Sequence, residues 1–221
     1  MSRRSRSSSP TYSSPRAGTD VLIDDYLPTY VVTVARHAVV EADPETTYRA
    51  AMTANLLDLG PIVRALGWLR VAPTAVIERA RGHRSKPTPD RITFADIGES
   101  DEWVRLAKEP GEEFVFGAVG KFWQPAIEWR AVDPDEFADF DEPGYEKISA
   151  ALSVRPYGDG RTLLSYEART ATTDADSKRR FKRYWRLVSP FAGYLMGKAL
   201  ERIAADAERR ARLEGVSSRN R

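Results

Sequence analysis

The spacing of hydrophobic residues changes once along the chain, and the change separates a β-rich part from a helical part. Before residue 173, short runs of alternating or β-branched apolar residues are separated by Gly, Pro and Asp turn signals. These runs predict strands at residues 30–42, 91–94, 103–108, 113–119, 126–132, 146–155 and 161–170. From residue 173 onward, apolar residues recur every three or four positions, which predicts one long helix. Pro190 lies inside that pattern, so we expect the helix to be kinked or split there.

Two shorter helices are predicted after the first strand. Asp43 is a suitable N-cap, Pro44 suits the first helical position, and Glu45 places an acid in the first turn. The helical period then continues until the Gly-Pro pair at 60–61 interrupts it, and a second helix is predicted at residues 62–69.

The hairpin around residues 157–160 allows a test of strand register. A three-residue loop at 158–160, with Gly160 left-handed, places Leu152 opposite Tyr166 and brings the apolar residues of both strands to one face. A two-residue loop would instead pair that apolar row with Ser165, Glu167 and Arg169. The three-residue loop is preferred because it buries more apolar surface, although a polar pair inside a ligand cavity would reverse the choice.

The composition removes several classes of chemistry. The 221 residues include no cysteine and two histidines, which excludes disulfides, thiolate catalysis and cysteine-ligated metals. The sequence motifs of serine hydrolases, zinc proteases and nucleotide-binding loops do not occur. We therefore expect no metal and no cofactor, and the acidic stretch at 133–142 is interpreted as a solvated capping segment held by Phe137 and Phe140.

Charge is distributed unevenly along the chain. The net charge is +2, but residues 1–19 carry four arginines and no acid. This Ser-, Arg- and Pro-rich stretch is predicted to be a disordered tail, followed by one domain at 20–212 and a second disordered tail at 213–221. No apolar signal region follows the first arginines and no apolar run is long enough to span a bilayer, so a cytoplasmic location is expected.

The order of strand, two short helices, antiparallel strands and a long final helix resembles the helix-grip fold. More specifically, the sequence is similar to bacterial members of the polyketide-cyclase/START-like superfamily, also called SRPBCC or birch-pollen-allergen-like. The segments that carry this resemblance are residues 23–28, 36–37, 116–123, 137–144 and 181–191, and the likeness extends over about residues 22–210.

The resemblance implies an α+β fold in which a curved antiparallel sheet wraps around the C-terminal helix. It also implies a cavity between sheet and helix that holds a hydrophobic small molecule, such as a lipid, a polyketide or an aromatic compound. The same fold hosts carriers and enzymes, so a cyclase or dehydratase acting on a polyketide-like substrate is the alternative. No catalytic motif is transferred from the resemblance.

The candidate ligand-binding residues are mainly large apolar side chains that are expected to face the cavity. They are His37, Trp68, Phe116, Trp123, Leu152, Tyr166, Phe181 and Trp185. Glu167 and Arg169 share one face of a strand, either as polar anchors for a ligand head group or as charge pairs on the outer surface. In the enzyme alternative, His37, Tyr166, Glu167 and Arg169 would be the acid–base groups and would have to meet in one pocket.

Two surfaces are candidates for partners other than a small molecule. The basic cluster at 178–186 has its aromatic residues on one side of the predicted helix and its charges on the other, which favours a solvated helix face. It gives no strong nucleic-acid signal, whereas weak contact with an anionic membrane stays open. The arginine-rich tail at 1–19 is a second candidate for nucleic-acid or membrane binding. The oligomeric state does not follow from the sequence.

Overall fold

The computed structural model of this chain describes residues 21–56, 91–97, 100 and 102–219. The predicted helix at 62–69, the N-terminal tail and Trp68 lie outside the described residues. Four helices and six strands are described. The helices are α1 (Ile23–Tyr26), α2 (Pro44–Thr53), α3 (Phe94–Ile97) and α4 (Ala175–Arg219). The strands are β1 (Val32–Val40), β2 (Val104–Glu109), β3 (Glu113–Gly120), β4 (Trp129–Arg130), β5 (Glu146–Pro156) and β6 (Thr162–Thr172).

The six strands form one antiparallel sheet whose order is β1-β6-β5-β3-β2, with β4 paired to the end of β3. α4 packs mainly against β1, β6 and α2. The chain therefore has the predicted α+β helix-grip fold, a sheet packed against one long C-terminal helix. In the part of the chain that the structure describes, no helix is both long enough and apolar enough to cross a membrane.

The register of the β5–β6 hairpin is the predicted one. Leu152 lies opposite Tyr166, and Gly160 has a φ of +69° in a loop closed by a hydrogen bond from the Tyr157 N–H to the Arg161 carbonyl, 2.9 Å. Even-numbered residues of β5 consequently point to the inner face of the sheet, towards α4, and odd-numbered residues point to the outer face.

Each face of the sheet carries its own hydrophobic core. The inner core joins apolar residues of β3, β5 and β6 to α2, α3 and the C-terminal half of α4. The outer core joins α1 and the segment at 132–145 to the opposite side of the same strands, and Phe137 at its centre is fully buried. A Cβ on Gly117 would lie 2.8 Å from the Phe137 ring, so only glycine permits this packing.

α2 begins as the sequence predicts, with Asp43 at its N-cap, and α4 is also preceded by an aspartate, Asp174. The Asp43 side chain accepts a hydrogen bond from the Thr46 N–H at 2.9 Å, and that of Asp174 accepts one from the Ser177 N–H at 2.9 Å. α4 is one helix of 45 residues, so Pro190 does not split it. It extends to Arg219, beyond the predicted domain end at residue 212.

The predicted strand at 91–94 is wrong. Thr93 instead precedes α3, where its side chain and the Asp96 carboxylate cap the turn through hydrogen bonds of 2.7 and 2.8 Å. A Thr and an Asp three residues apart satisfy the free N–H groups at the start of a helix, which the β-branched residues alone did not indicate.

Candidate functional site

Aromatic side chains cover the inner face of the sheet from α3 to β4. Neighbouring ring centroids are 5.4 to 6.3 Å apart along the chain of contacts Tyr166–Phe94, Phe94–Phe116, Phe116–Trp103 and Trp103–Trp129. We call these residues, together with Phe114 and Phe122, the inner aromatic cluster. The Tyr166–Phe94 pair is edge-to-face, with an interplanar angle of 86°, and the other three pairs are tilted at 54° to 59°.

The rings of this cluster differ in burial. Phe94, Phe114, Phe116 and Phe122 are buried, whereas Trp103, Trp129 and Tyr166 are only half-buried although they lie on the inner face. Ligand pockets are lined mainly by apolar and aromatic side chains, which is the kind of surface that these partly accessible rings offer.

The first turns of α4 close the same region. Phe181 is buried, and its ring stacks on Trp185 with a centroid distance of 5.8 Å and an interplanar angle of 21°. Phe181 belongs to one hydrophobic cluster with Phe122 of the inner aromatic cluster, and Trp185 packs against it. The N-terminal part of α4 thus completes an aromatic wall opposite the sheet.

A fully buried carboxylate lies at the end of this wall. Glu146 is 0% exposed and occupies the inner face of β5, two residues before Ile148, which packs against Phe181 and Phe122. Its Oε2 accepts a hydrogen bond from the Phe122 N–H at 2.9 Å, and its Oε1 has no hydrogen-bond partner among the described residues.

The environment of Glu146 changes its acidity. Burial, which penalises the charged form, raises the pKa of Glu146 to about 7, against smaller lowering effects of the Phe122 N–H and nearby cations. Near neutral pH the carboxyl group therefore exists in both forms. Its Oε1 can accept a hydrogen bond from a ligand when ionised and can donate one when protonated.

The candidates from the sequence fall into three groups in space. Phe116, Leu152 and Tyr166 meet in the inner core, and Phe181 and Trp185 meet beside Phe122. Trp123 lies apart from both, in a surface cleft of about 310 Å3 at the start of α4, where the Arg180 guanidinium lies 4.9 Å from its ring centroid.

The other polar candidates lie on the outer face. His37 is exposed, and its Nδ1 lies 2.8 Å from the Ser165 hydroxyl on that side of the sheet. Of the two alternatives for Glu167 and Arg169, polar anchors for a ligand or charge pairs on the outer surface, the structure has the second, because both residues lie on the face of β6 that points away from α4. Arg169 is buried there between the carboxylates of Glu167 at 2.6 Å and Asp24 at 2.5 Å.

The enzyme alternative requires at least two of its acid–base candidates, His37, Tyr166, Glu167 and Arg169, to converge on one apolar pocket. The structure divides the four between the two faces of the sheet: Tyr166 alone faces the inner core, and Glu167 and Arg169 meet as an ion pair on the outer face. Cross-strand pairing puts Tyr166 on the inner face and the other three on the outer face, since adjacent residues of a strand point to opposite sides. The described residues contain no group of three or more acidic or histidine side chains placed to hold a metal ion.

Glu146 is the functional candidate that sequence reasoning missed. The sequence pattern places Glu146 at the start of a predicted strand, in the same even-numbered row as Ile148, Ala150 and Leu152. A charged residue in an otherwise apolar row of a strand is a recognisable signal, because its carboxylate must point into the core.

No family model matches this chain, and no curated protein matches it. Among solved structures, the chain is similar to a protein from Mesorhizobium loti at 16% identity and a TM-score of 0.34, with 80% of this chain and 98% of that chain covered. It is similar to norcoclaurine synthase from Thalictrum flavum at 8% identity and a TM-score of 0.36, with 90% and 97% covered. For CalU16 from Micromonospora echinospora the identity is 12% and the TM-score 0.27, with 82% and 86% covered. Likenesses this distant carry no argument about ligand or activity, and the helix-grip fold rests on the strand order and the long C-terminal helix.

Proposed function

We propose that this chain binds an apolar, ring-containing small molecule between the inner aromatic cluster and the first turns of α4. The observation that carries the proposal is the set of half-buried rings on the inner face. Trp103 and Trp129 pack with Trp185 of the helix against one cluster, and Tyr166 lies beside them in contact with Phe94 and Phe116. A flat apolar molecule would replace water on these rings and gain contact area with them.

Glu146 is the proposed polar anchor of this ligand. Its Oε1 lacks a partner among the described residues, while Oε2 is held by the Phe122 N–H and fixes the orientation of the carboxyl group. A buried polar atom without a partner costs free energy that a ligand hydroxyl would recover. The expected ligand is therefore a hydrophobic compound, such as a polyketide or an aromatic lipid, with one hydroxyl or similar polar group.

Fluorescence titration with N-phenyl-1-naphthylamine, an apolar two-ring probe, tests the cleft. Tyr166→Trp adds bulk on the inner face and should weaken binding about tenfold or more, whereas Tyr157→Trp, on the exposed hairpin, should leave it unchanged. Circular dichroism and thermal melting verify that both variants fold. Saturable binding that Tyr166→Trp does not alter, or no saturable binding by the native chain, would contradict the proposal.

A second titration tests the anchor separately. Glu146→Gln keeps an oxygen for the Phe122 N–H but no longer offers a free carboxylate oxygen. We expect 2-naphthol to bind this variant about five- to tenfold more weakly than the native chain, and naphthalene, which has no hydroxyl, to bind both equally. Equal losses for the two compounds would show that Glu146 shapes the cleft without anchoring a hydroxyl.

A further inference from the structure

The N-terminal half of α4 carries nearly all of its charge with one sign. Residues 177–200 contain seven cations and no acid, although the whole chain has a net charge of only +2. Arg179 pairs with Asp176, and Arg180 lies over the Trp123 ring. Lys182, Arg183 and Arg186 are exposed and form no ion pair with any described residue. This part of the helix therefore presents a concentrated positive charge to solvent.

Large apolar side chains emerge from the same surface. Leu187 is 73% exposed, Phe191 45% and Tyr194 38%. At about 100° per residue, these three side chains lie within about 60° of one another around the helix axis, and the buried Ile203 lies about 150° from their centre. We call Leu187, Phe191 and Tyr194 the outer apolar stripe. Arg183 lies about 40° and Arg186 about 100° from Leu187 around the axis, whereas Lys182 lies about 140° away, so the two arginines border the stripe and Lys182 does not.

We propose that α4 docks on an anionic lipid bilayer, with the outer apolar stripe inserted among the acyl chains and Arg183 and Arg186 at the phosphate level. Cations flanking exposed Leu, Phe and Tyr on one helix are the pattern of interfacial helices that lie in a membrane surface. Each cation near such a surface is expected to strengthen binding about fivefold.

The charge of this surface favours an anionic bilayer over a second copy of the chain or a nucleic acid. A second copy of the same face would bring its own Arg183 and Arg186 towards those of the first copy without any acid at residues 177–200 to pair with them, which disfavours a symmetric dimer. A nucleic acid would neutralise the cations but would leave Leu187 and Phe191 in water, since a phosphate backbone offers them no apolar contact. A bilayer with acidic headgroups pairs with the cations through its phosphates and takes up the apolar side chains among its acyl chains.

Vesicle flotation with the full chain tests the docking surface. Vesicles of phosphatidylcholine with 25% phosphatidylglycerol are compared with pure phosphatidylcholine, and a 25-base-pair DNA duplex is titrated in parallel. The double variant R183Q/R186Q should lose about 25-fold in affinity for the anionic vesicles. L187S/F191S keeps every charge and should lose about tenfold. The matched control L213S/V216S removes two equally exposed apolar residues from the far end of α4 and should bind as the native chain does.

The arginine-rich tail at 1–19 is present in every variant, so any difference in binding between variants comes from α4 and not from the tail. Loss in both test variants with an unchanged control supports the proposal. Three results would overturn it: no binding of the native chain to anionic vesicles, tighter binding to the DNA duplex than to vesicles at the same salt, or L187S/F191S binding as well as the native chain. Circular dichroism at 20 °C, well below the melting transition, verifies that each variant keeps the helical content of the native chain, and the melting midpoint verifies that it is as stable.

Discussion

The buried carboxylate of Glu146 makes the stability of this protein depend on pH in an unusual direction. Most carboxylates in folded proteins are stabilised in their charged form, so stability is lost as pH falls. Glu146 has the opposite behaviour, because burial raises its pKa from 4.5 to about 7. Between these two values the unfolded chain releases the proton and the folded chain retains it, so stability declines as pH rises through this window and is constant above it.

The size of the effect follows from the two pKa values. The interval from 4.5 to about 7 corresponds to about 3 kcal/mol of free energy of unfolding. Glu146→Gln removes the titration and keeps an acceptor for the Phe122 N–H. The free energy of unfolding of the native chain, minus that of the variant, should therefore fall by about 3 kcal/mol between pH 4.5 and pH 8.

Urea denaturation at half-unit steps of pH, followed by circular dichroism, measures this difference. Glu128→Gln is the control, because Glu128 is exposed and its pKa is lowered by hydrogen bonds from Lys121 and Tyr145, so it titrates below the window. The Phe122 amide proton gives an independent NMR readout in the native chain, since it donates to Glu146 Oε2. A difference between native chain and Glu146→Gln that stays constant within about 0.5 kcal/mol across the window would refute the reasoning.

Two further predictions concern the packing of the outer face and the start of α4. Gly117→Ala places a Cβ 2.8 Å from both Leu106 and the Phe137 ring, so it should lower the free energy of unfolding by about 1–3 kcal/mol. Gly197→Ala is the control: its Cβ would have no tertiary neighbour within 4 Å, and it should raise the free energy of unfolding by up to about 1 kcal/mol. Urea denaturation measures both changes. Asp174→Ala removes an acceptor of three backbone N–H groups and should cost about 1–2 kcal/mol at pH 7. Because those hydrogen bonds lower the pKa of Asp174, the difference from the native chain should shrink as pH falls below about 4, and a difference of unchanged size from pH 6 down to pH 2 would contradict the assignment.

The sequence was sufficient to predict the register of the last hairpin, because the residues that determine it are close together in the chain. Gly158 and Gly160 restrict the loop, and the apolar rows of the two strands match in one register only. The same parity rule places Glu146 on the inner face, so its burial was within reach of sequence reasoning once the register was chosen.

The outer core was not predictable in the same way. Phe137 and α1 reach the outer face from segments far apart in sequence, and no periodicity indicates which side of the sheet they cover. Glu167 and Arg169 illustrate the difficulty, because a two-residue spacing fixes that they share a face but not which face it is. Asp24, 145 residues before Arg169, completes their ion-pair network.

Comparison of the two most buried carboxylates shows why Glu146, and not Glu113, is the better functional candidate. Both are almost fully buried, and each has one oxygen without a hydrogen-bond partner among the described residues. Glu113 lies on the outer face, where Arg155 pairs with its other oxygen at 3.1 Å and compensates its charge. Glu146 forms no ion pair with any described residue, and a single backbone N–H holds it beside the aromatic wall. Burying an acid without a cation destabilises the fold, and a purely structural role gives no reason to retain such a residue. A ligand that supplies the missing hydrogen bond gives that reason.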